Sequence, residues 1–178
     1  MPLPECTRVP FFDVDTSAHL LANGWREIEV LETWYGPAQW EKGEIIEATE
    51  EHRERLMTIA RTVFFHDRLH QDPMVDQKYA DEFKAKCISD ALDDPERIVF
   101  MDRDQMAFLS LRINGRIGTI DLVASMMRGK ARELIRVASW ECGLLSLEAG
   151  TQETNAKAKA LYSSLGMHVV GRQRTFHR

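Results

Sequence analysis

A short basic segment separates two regular elements in the second half of the chain. Residues 125–132 read Ser-Met-Met-Arg-Gly-Lys-Ala-Arg; they follow a strand-like apolar run, and a helix pattern begins at Gly129. The first turn of a helix offers unpaired N–H groups and the positive end of the helix dipole, so anions bind there. Arg128, Lys130 and Arg132 add positive charge in a chain of net charge −5. The segment could therefore hold a phosphate, although solvated basic residues at a helix start are a common alternative.

A second stretch, near the C-terminus, has residues typical of helix ends at both of its limits. Asn155 is a candidate N-cap, because its side-chain oxygen can accept a free N–H of the first turn. Gly166 stands where a helix end favours a positive φ. Between them apolar residues recur at helical spacing, at Ala158, Leu161 and Leu165. Tyr162 lies beside this apolar face, where a Tyr packed at the helix end is the ordinary interpretation.

Residues 66–73 combine two histidines with two aspartates. His66 and His70 are four residues apart, with Asp67 and Asp72 beside them, which is a spacing that could suit a metal ion. The helical pattern breaks here and no partner motif follows, so we expect no metal site. A polar loop whose carboxylates cap the helices on either side is the favoured interpretation.

Composition narrows the class of protein. The chain has 178 residues, of which 44% are hydrophobic and 29% charged, as in a single globular domain. The acidic balance gives no indication of nucleic acid or an anionic membrane as a partner. Three scattered cysteines, the absence of a long apolar run and an N-terminus unlike a signal peptide predict a cytoplasmic protein with reduced thiols.

The apolar pattern predicts mixed α/β structure with one central, partly antiparallel sheet. Helices are predicted over 16–24, 50–65, 75–92, 129–142 and 155–165. Strands are predicted over 25–34, 45–48, 98–101, 106–113, 116–124, 144–149, 167–171 and 173–177. Asn114-Gly115 predicts a hairpin. In the first strand, Ile28 and Val30 are expected on one face and Glu27, Glu29 and Leu31 on the other.

The C-terminal string Asn155-x-x-Ala-x-x-Leu-Tyr-x-x-x-Gly-Met resembles the signature of the GNAT acyl-CoA N-acyltransferases. The resemblance implies the GNAT fold, an α/β fold whose central mixed sheet carries helices on both faces. The predicted element order agrees with it. We expect one GNAT-like domain over 1–178, with a lead-in helix and strand in 1–44 and the core in 45–178.

The resemblance also implies a site for acetyl-CoA as co-substrate. By family position, Arg128, Gly129, Lys130 and Ala131 would meet the pyrophosphate of CoA, Asn155 would begin the helix beside its arm, and a backbone N–H of Leu122, Val123 or Ala124 would face the thioester oxygen. Tyr162 would be the general acid that protonates the departing thiolate. Met126 replaces the Gln or Arg of the family and the connection is short. These departures keep open a degenerate module that binds CoA or a partner without turnover.

Four parts of the chain resemble the dTDP-fucosamine acetyltransferases within that family: 21–30, 64–73 with 80–84, 120–124, and 150–155 with 172–178. The group resemblance implies a nucleotide-linked amino sugar as acceptor and a homodimer. Candidate acceptor contacts are His66, Arg68, His70 and Asp121. The general base is not identified; its candidates are His66, Asp67, His70, Asp72 and Asp121. Other amines, such as an antibiotic, a polyamine or a protein N-terminus, remain alternative acceptors.

Overall fold

The computed structural model describes residues 3–178. In chain order the elements are β1 (Cys6–Pro10), α1 (Val14–Ala22), β2 (Arg26–Pro37), β3 (Ile45–Glu47), α2 (Arg53–Val63), α3 (Arg68–Gln71), α4 (Gln77–Asp93), β4 (Arg97–Asp102), β5 (Ala107–Asn114), β6 (Ile117–Ser125), α5 (Lys130–Glu141), β7 (Ser146–Gln152), α6 (Ala156–Ser164) and β8 (His168–His177). One 3₁₀ turn, Glu50–His52, leads into α2. None of the helices described is long and apolar enough to cross a membrane.

Side-chain caps determine where three of the helices begin. Asp13, Asp76 and Asn155 each accept a backbone N–H from three residues further on, at 3.0–3.1 Å. The cap by Asp13 is why α1 begins at Val14 instead of the predicted residue 16. The predicted N-cap at Asn155 is confirmed, and Gly166 adopts the expected positive φ, of 77°, after α6.

The eight strands form one sheet in the order β1-β8-β2-β7-β6-β5-β4-β3. All neighbours are antiparallel except β6 and β7. Strand β2 lies between β7 and β8, so part of the predicted lead-in separates the last two strands of the chain. The predicted mixed sheet is confirmed.

Alternating side chains of β4 and β5 show that helices cover both faces of this sheet. Phe100 and Leu109 join a cluster with Leu134 and Ile135 of α5, and α6 contributes to the same cluster. Met101 and Phe108 join a second cluster, with residues of α2 and α4. The predicted placement of helices on both faces is therefore confirmed.

Four local predictions were wrong. The strands predicted over 167–171 and 173–177 are one strand, β8, because its pairing with β2 continues across Gly171. Residues 66–73 include the short helix α3, and β1 was not predicted at all. A β-bulge at Ile28 puts Glu27 opposite Phe176 and Glu29 opposite Thr175, so these two glutamates lie on opposite faces.

A buried network attaches the segment around α3 to the sheet. Arg26 donates two hydrogen bonds to the fully buried Asp72, at 2.6 and 3.1 Å, and His177 Nδ1 lies 2.8 Å from the same carboxylate. Burial opposes the charge of Asp72, but the hydrogen bonds from Arg26 and His177 lower the pKa of this carboxyl to about 2. The network therefore joins α3 to β2 and β8.

We expect Asp72→Asn to lower the free energy of unfolding by about 2 kcal/mol at neutral pH, because a buried charged hydrogen-bond acceptor is lost. The depressed pKa stabilises the fold above pH 3.8, and this contribution is lost as the pH falls towards about 2. Denaturant unfolding of both proteins across this range is the measurement. A constant difference between them down to about pH 2 would contradict the assignment.

Candidate active site at the parting of two parallel strands

Strands β6 and β7 pair for only part of their length. Ile117 to Ile120 pair with Ser146 to Ala149, and there the parallel ladder ends. Beyond this point β6 continues beside β5 as far as Ser125, and β7 continues beside β2 as far as Gln152. A gap therefore opens between the carboxyl ends of the two strands, with Ile120 and Ala149 at its closed end.

A β-bulge in β6 coincides with the start of the gap. Ser110 faces Leu122 and Leu111 faces Ile120, so Asp121 is the extra residue. Further on, Met126 N donates to Met106 O of the neighbouring strand segment. Because N–H groups alternate in direction along a strand, those of Val123 and Ser125 point to the edge that faces the gap.

The predicted anion-binding loop lies at the open end of this gap. Gly129 precedes α5 with a φ of 89°, a conformation that favours glycine, and no side chain caps this helix within the described part of the chain. The N–H groups of its first turn are therefore available. A cavity of about 300 Å³ adjoins them, and its lining includes Arg128 and Arg132.

Lys130 differs from the two arginines in its orientation. Its Nζ lies 3.4 Å from Asp104, 3.5 Å from Glu133 and 4.0 Å from Asp102. The carboxylate of Glu133, together with that of Asp104, raises the pKa of Lys130. Lys130 was predicted as a contact to an anion, but its charge is already shared among carboxylates, whereas Arg128 and Arg132 are exposed.

Tyr162 lies at the closed end of the gap. Its ring centroid is 6.0 Å from that of Trp34, which pairs with Ala149 across β2 and β7. Tyr162 is 3% exposed and belongs to the same cluster as Ile120 and Ala149. Burial raises the pKa of its phenol, so Tyr162 remains protonated in the physiological range. A protonated phenol therefore adjoins the point where the strands part.

The predicted acceptor residues fall into separate networks. Both ring nitrogens of His70 face carboxylates, Asp67 at 2.6 Å and Asp81 at 3.0 Å. Burial opposes its charge, but these hydrogen bonds raise the pKa of His70. The ring of His66 lies against that of Phe65, with centroids 4.6 Å apart and the ring planes tilted by 46°.

Arg68 and Asp121 also have partners of their own. Arg68 Nη1 lies 3.3 Å from His177 Nε2. Asp121 accepts two hydrogen bonds from Arg112, at 2.6 and 2.8 Å, and lies 3.4 Å from Arg97. Asp121 therefore has no ion-pair partner in common with the His70 network. Within residues 3–178, no three His, Cys, Asp or Glu side chains form a group that could hold a metal ion.

A larger depression lies at the opposite end of the same strands. It measures about 500 Å³, and Tyr35, Ile117 and Leu145 are among its lining residues. Ligands of open α/β sheets bind outside the carboxyl ends of parallel strands, whereas this depression is at the amino ends of β6 and β7. The gap with its basic loop is therefore the better candidate for an active site.

Solved structures share this architecture. The chain superposes on a GCN5-related N-acetyltransferase from Sphaerobacter thermophilus with a TM-score of 0.60 and 15% identity, and covers 97% of its own length and 58% of that protein. It superposes on a GNAT-family acetyltransferase from Colwellia psychrerythraea with a TM-score of 0.58 and 14% identity, and the match covers 97% of this chain and 64% of that protein. The chain has the GNAT fold. At these identities the likeness concerns the fold alone.

Another GNAT-fold match is a glucosamine N-acetyltransferase region of a fungal multi-domain GH3 β-N-acetylglucosaminidase. The TM-score is 0.62 at 13% identity, and the superposition covers 98% of this chain and 25% of the fungal protein. The chain therefore spans less than two thirds of the length of each of these three proteins. No protein-family model and no curated protein matches its sequence.

Sequence reasoning missed the features that define the gap of this GNAT fold. The closed end depends on Ile120, Ala149 and Trp34, which are apolar residues of ordinary strand patterns. The bulge at Asp121 has no local signature, because it follows from pairing between β5 and β6. Only the basic loop and the helix around Tyr162 carried signals that local patterns could reveal.

Asn155 was predicted to contact the cofactor, but its side-chain oxygen caps α6. We expect Asn155→Ala to lower the free energy of unfolding by about 1 kcal/mol, and Asn155→Ser, which can also cap a helix, to lower it far less. Thermal unfolding of both variants measures this. Equal destabilisation by Ala and Ser would mean that the cap is not what Asn155 contributes.

Proposed function

We propose that the chain is an acetyl-CoA-dependent N-acetyltransferase that acts on a small amine. The observation that carries the proposal is the gap between β6 and β7, with a basic helix start at its open end and a protonated Tyr162 at its closed end. A long, anionic thioester could lie along such a gap with its phosphates on the loop and its acyl group near the bulge.

The residues of the loop suit a pyrophosphate. Gly129 leaves open space where a side chain would stand, since no atom lies within 4 Å of a Cβ built there. The uncapped first turn of α5 supplies N–H donors, and Arg128 and Arg132 supply charge without an ion-pair partner among residues 3–178. Ala131, in that first turn, is small enough to let a phosphate approach the backbone.

The transfer itself needs few groups from the protein. The amine attacks the thioester carbonyl, whose oxygen gains negative charge that the N–H of Val123 is oriented to stabilise. Tyr162 supplies a proton to the departing sulfur. Leu122 and Ala124 flank Val123, and their N–H groups point towards β5.

An amino sugar is the acceptor class that we favour. The resemblance of four chain segments to the dTDP-fucosamine acetyltransferases supports it, and one structural neighbour is named as a glucosamine N-acetyltransferase region. Acetyl transfer should be tested on a panel containing glucosamine, a nucleotide-linked amino sugar, spermidine, an aminoglycoside and a short peptide. Transfer restricted to the polyamine or the peptide would reject the amino-sugar acceptor.

Calorimetric titration with acetyl-CoA tests the loop directly. We expect Arg128→Glu and Arg132→Glu each to weaken binding about tenfold or more, because each variant replaces a cation near the phosphates with an anion. Lys86→Glu, on α4 and on the other face of the sheet, is the matched charge reversal and should leave the affinity unchanged. An equal loss in all three variants would mean that only the overall charge matters.

Tyr162→Phe separates catalysis from packing. The ring and its contact with Trp34 remain, so we expect the free energy of unfolding to change by less than about 1 kcal/mol. Loss of the phenolic proton should lower kcat about 100-fold, with the affinity for acetyl-CoA unchanged. Steady-state kinetics and calorimetry on the same preparation provide both values. Full activity of the variant would remove Tyr162 from the mechanism.

A second candidate function is binding of CoA without turnover. Two observations favour it. Met126 is exposed at the position where the GNAT acyl-CoA N-acyltransferases have Gln or Arg. Lys130 is paired with carboxylates instead of being available to a phosphate. Binding of acetyl-CoA without transfer to any amine of the panel is the result that would favour this function over the first.

A further inference from the structure

Glu29 is a buried carboxylate without a cation in contact. It is 8% exposed; Thr175 Oγ1 donates to its Oε1 at 3.3 Å, while Oε2 is buried and has no hydrogen-bond partner among residues 3–178. An unpaired buried carboxylate oxygen is costly to the fold. Its presence therefore needs a reason other than stability.

Two other carboxylates in the described chain have a buried oxygen without a hydrogen bond, and both have a cation nearby. Lys159 Nζ lies 3.5 Å from Glu32 Oε2, and Lys130 Nζ lies 4.0 Å from Asp102 Oδ2. Glu29 differs from Glu32 and Asp102, because within residues 3–178 no Lys, Arg or His nitrogen lies within 4 Å of its carboxylate. Glu29 is therefore the carboxylate best able to accept a proton or bind an added cation.

Topology places Glu29 beside the gap. β7 ends at Gln152, which faces Leu31, whereas β2 continues to Arg26. Glu29 thus lies beyond the carboxyl end of β7, on the strand that borders the gap there. The register shift between Thr33 and Trp34 places its extra residue, Val170, on β8, so side chains alternate along β2 from Glu29 to Trp34 and these two point to opposite faces of the sheet.

Arg8 of β1 and Asp67, which precedes α3, act electrostatically on Glu29. Asp67 precedes α3, and the network of Asp72 holds this segment against β2 and β8. Burial raises the pKa of Glu29, and the charge of Asp67 adds to this; the charge of Arg8 and the side chains of Thr175 and Gln152 oppose it. The titratable and charged groups facing this region are Arg8 of β1, Arg26 of β2, His177 of β8, Asp67, Arg68, His70 and Asp72 of the α3 segment, and Asp81 and Lys84 of α4.

We propose that Glu29 is the general base that accepts the proton of the acceptor amine. This inference rests on the proposed function. The amine nitrogen bonds to the carbonyl carbon as the C–S bond breaks; the N–H proton passes to the Glu29 carboxylate, and the departing sulfur takes the proton of Tyr162. Exchange with water then returns a proton to Tyr162 and removes one from Glu29. The acceptor enters on the face opposite Tyr162 as an ammonium ion that a carboxylate attracts; before the attack, Glu29 takes its first proton and passes it to water, which leaves the neutral amine.

The test compares Glu29→Gln with Glu27→Gln, a matched change on the same strand but on the other face, where Glu27 pairs with Arg174. With the best acceptor of the amine panel, Glu29→Gln should lower kcat/KM about 100-fold and leave the affinity for acetyl-CoA unchanged. The wild-type rate should fall at low pH as Glu29 takes up a proton, and the variant should lack this limb. Glu27→Gln should match the wild type in rate and pH profile.

Stability provides a readout that is independent of activity. The raised pKa of Glu29 means that the wild type loses stability as the pH rises above 4.5, the value of an ordinary Glu. Glu29→Gln should therefore unfold at an equal or higher temperature than the wild type at neutral pH, and this advantage should vanish below pH 4.5.

The possible results separate the two proposals. A Glu29→Gln variant with the wild-type rate and pH profile overturns the role of Glu29 and leaves the acetyltransferase proposal intact. A variant that is less stable at neutral pH also overturns it, because Glu29 would then be a structural hydrogen-bond partner. Wild-type protein that binds no acetyl-CoA overturns the proposed function, and the role of Glu29 with it.

Discussion

The early end of the parallel ladder between β6 and β7 is the constraint on which the site depends. Only the pairs up to Ile120 and Ala149 form; the bulge at Asp121 follows directly in β6, and beyond it each strand continues only beside its own antiparallel neighbour, β5 or β2. Backbone groups that a continuous sheet would pair are left facing a gap. The gap is therefore a consequence of sheet pairing, and the basic loop and Tyr162 lie at its two ends.

The sheet also separates the roles of its two faces. Trp34 and Glu29 lie on the same strand, but Trp34 contacts the buried Tyr162 on one face, while Glu29 faces the α3 segment on the other. A thioester in the gap would thus lie between a proton donor and a proton acceptor. Strand β2 contributes to both sides, since it lies between β7 and β8 and borders the carboxyl end of the gap.

Features set by neighbours in sequence could be predicted, and those set by distant strands could not. The caps at Asn155 and Gly166 depend on interactions within a few residues, so the pattern revealed them before the fold was known. The GNAT architecture followed from that string and the element order. The burial of Glu29 depends on the bulge at Ile28 and on pairing with β8, which no local pattern encodes. Asp121 was predicted as an acceptor contact, but its carboxylate is paired with Arg112 of the neighbouring strand.

The central claim is that the gap between β6 and β7 receives acetyl-CoA. Amide hydrogen exchange, measured with and without saturating acetyl-CoA, tests it without requiring an acceptor. The account predicts slower exchange at Val123 and Ser125 and in the first turn of α5, from Lys130 to Arg132. Unchanged exchange there, or protection confined to the opposite end of the strands around Ile117 and Leu145, would contradict it.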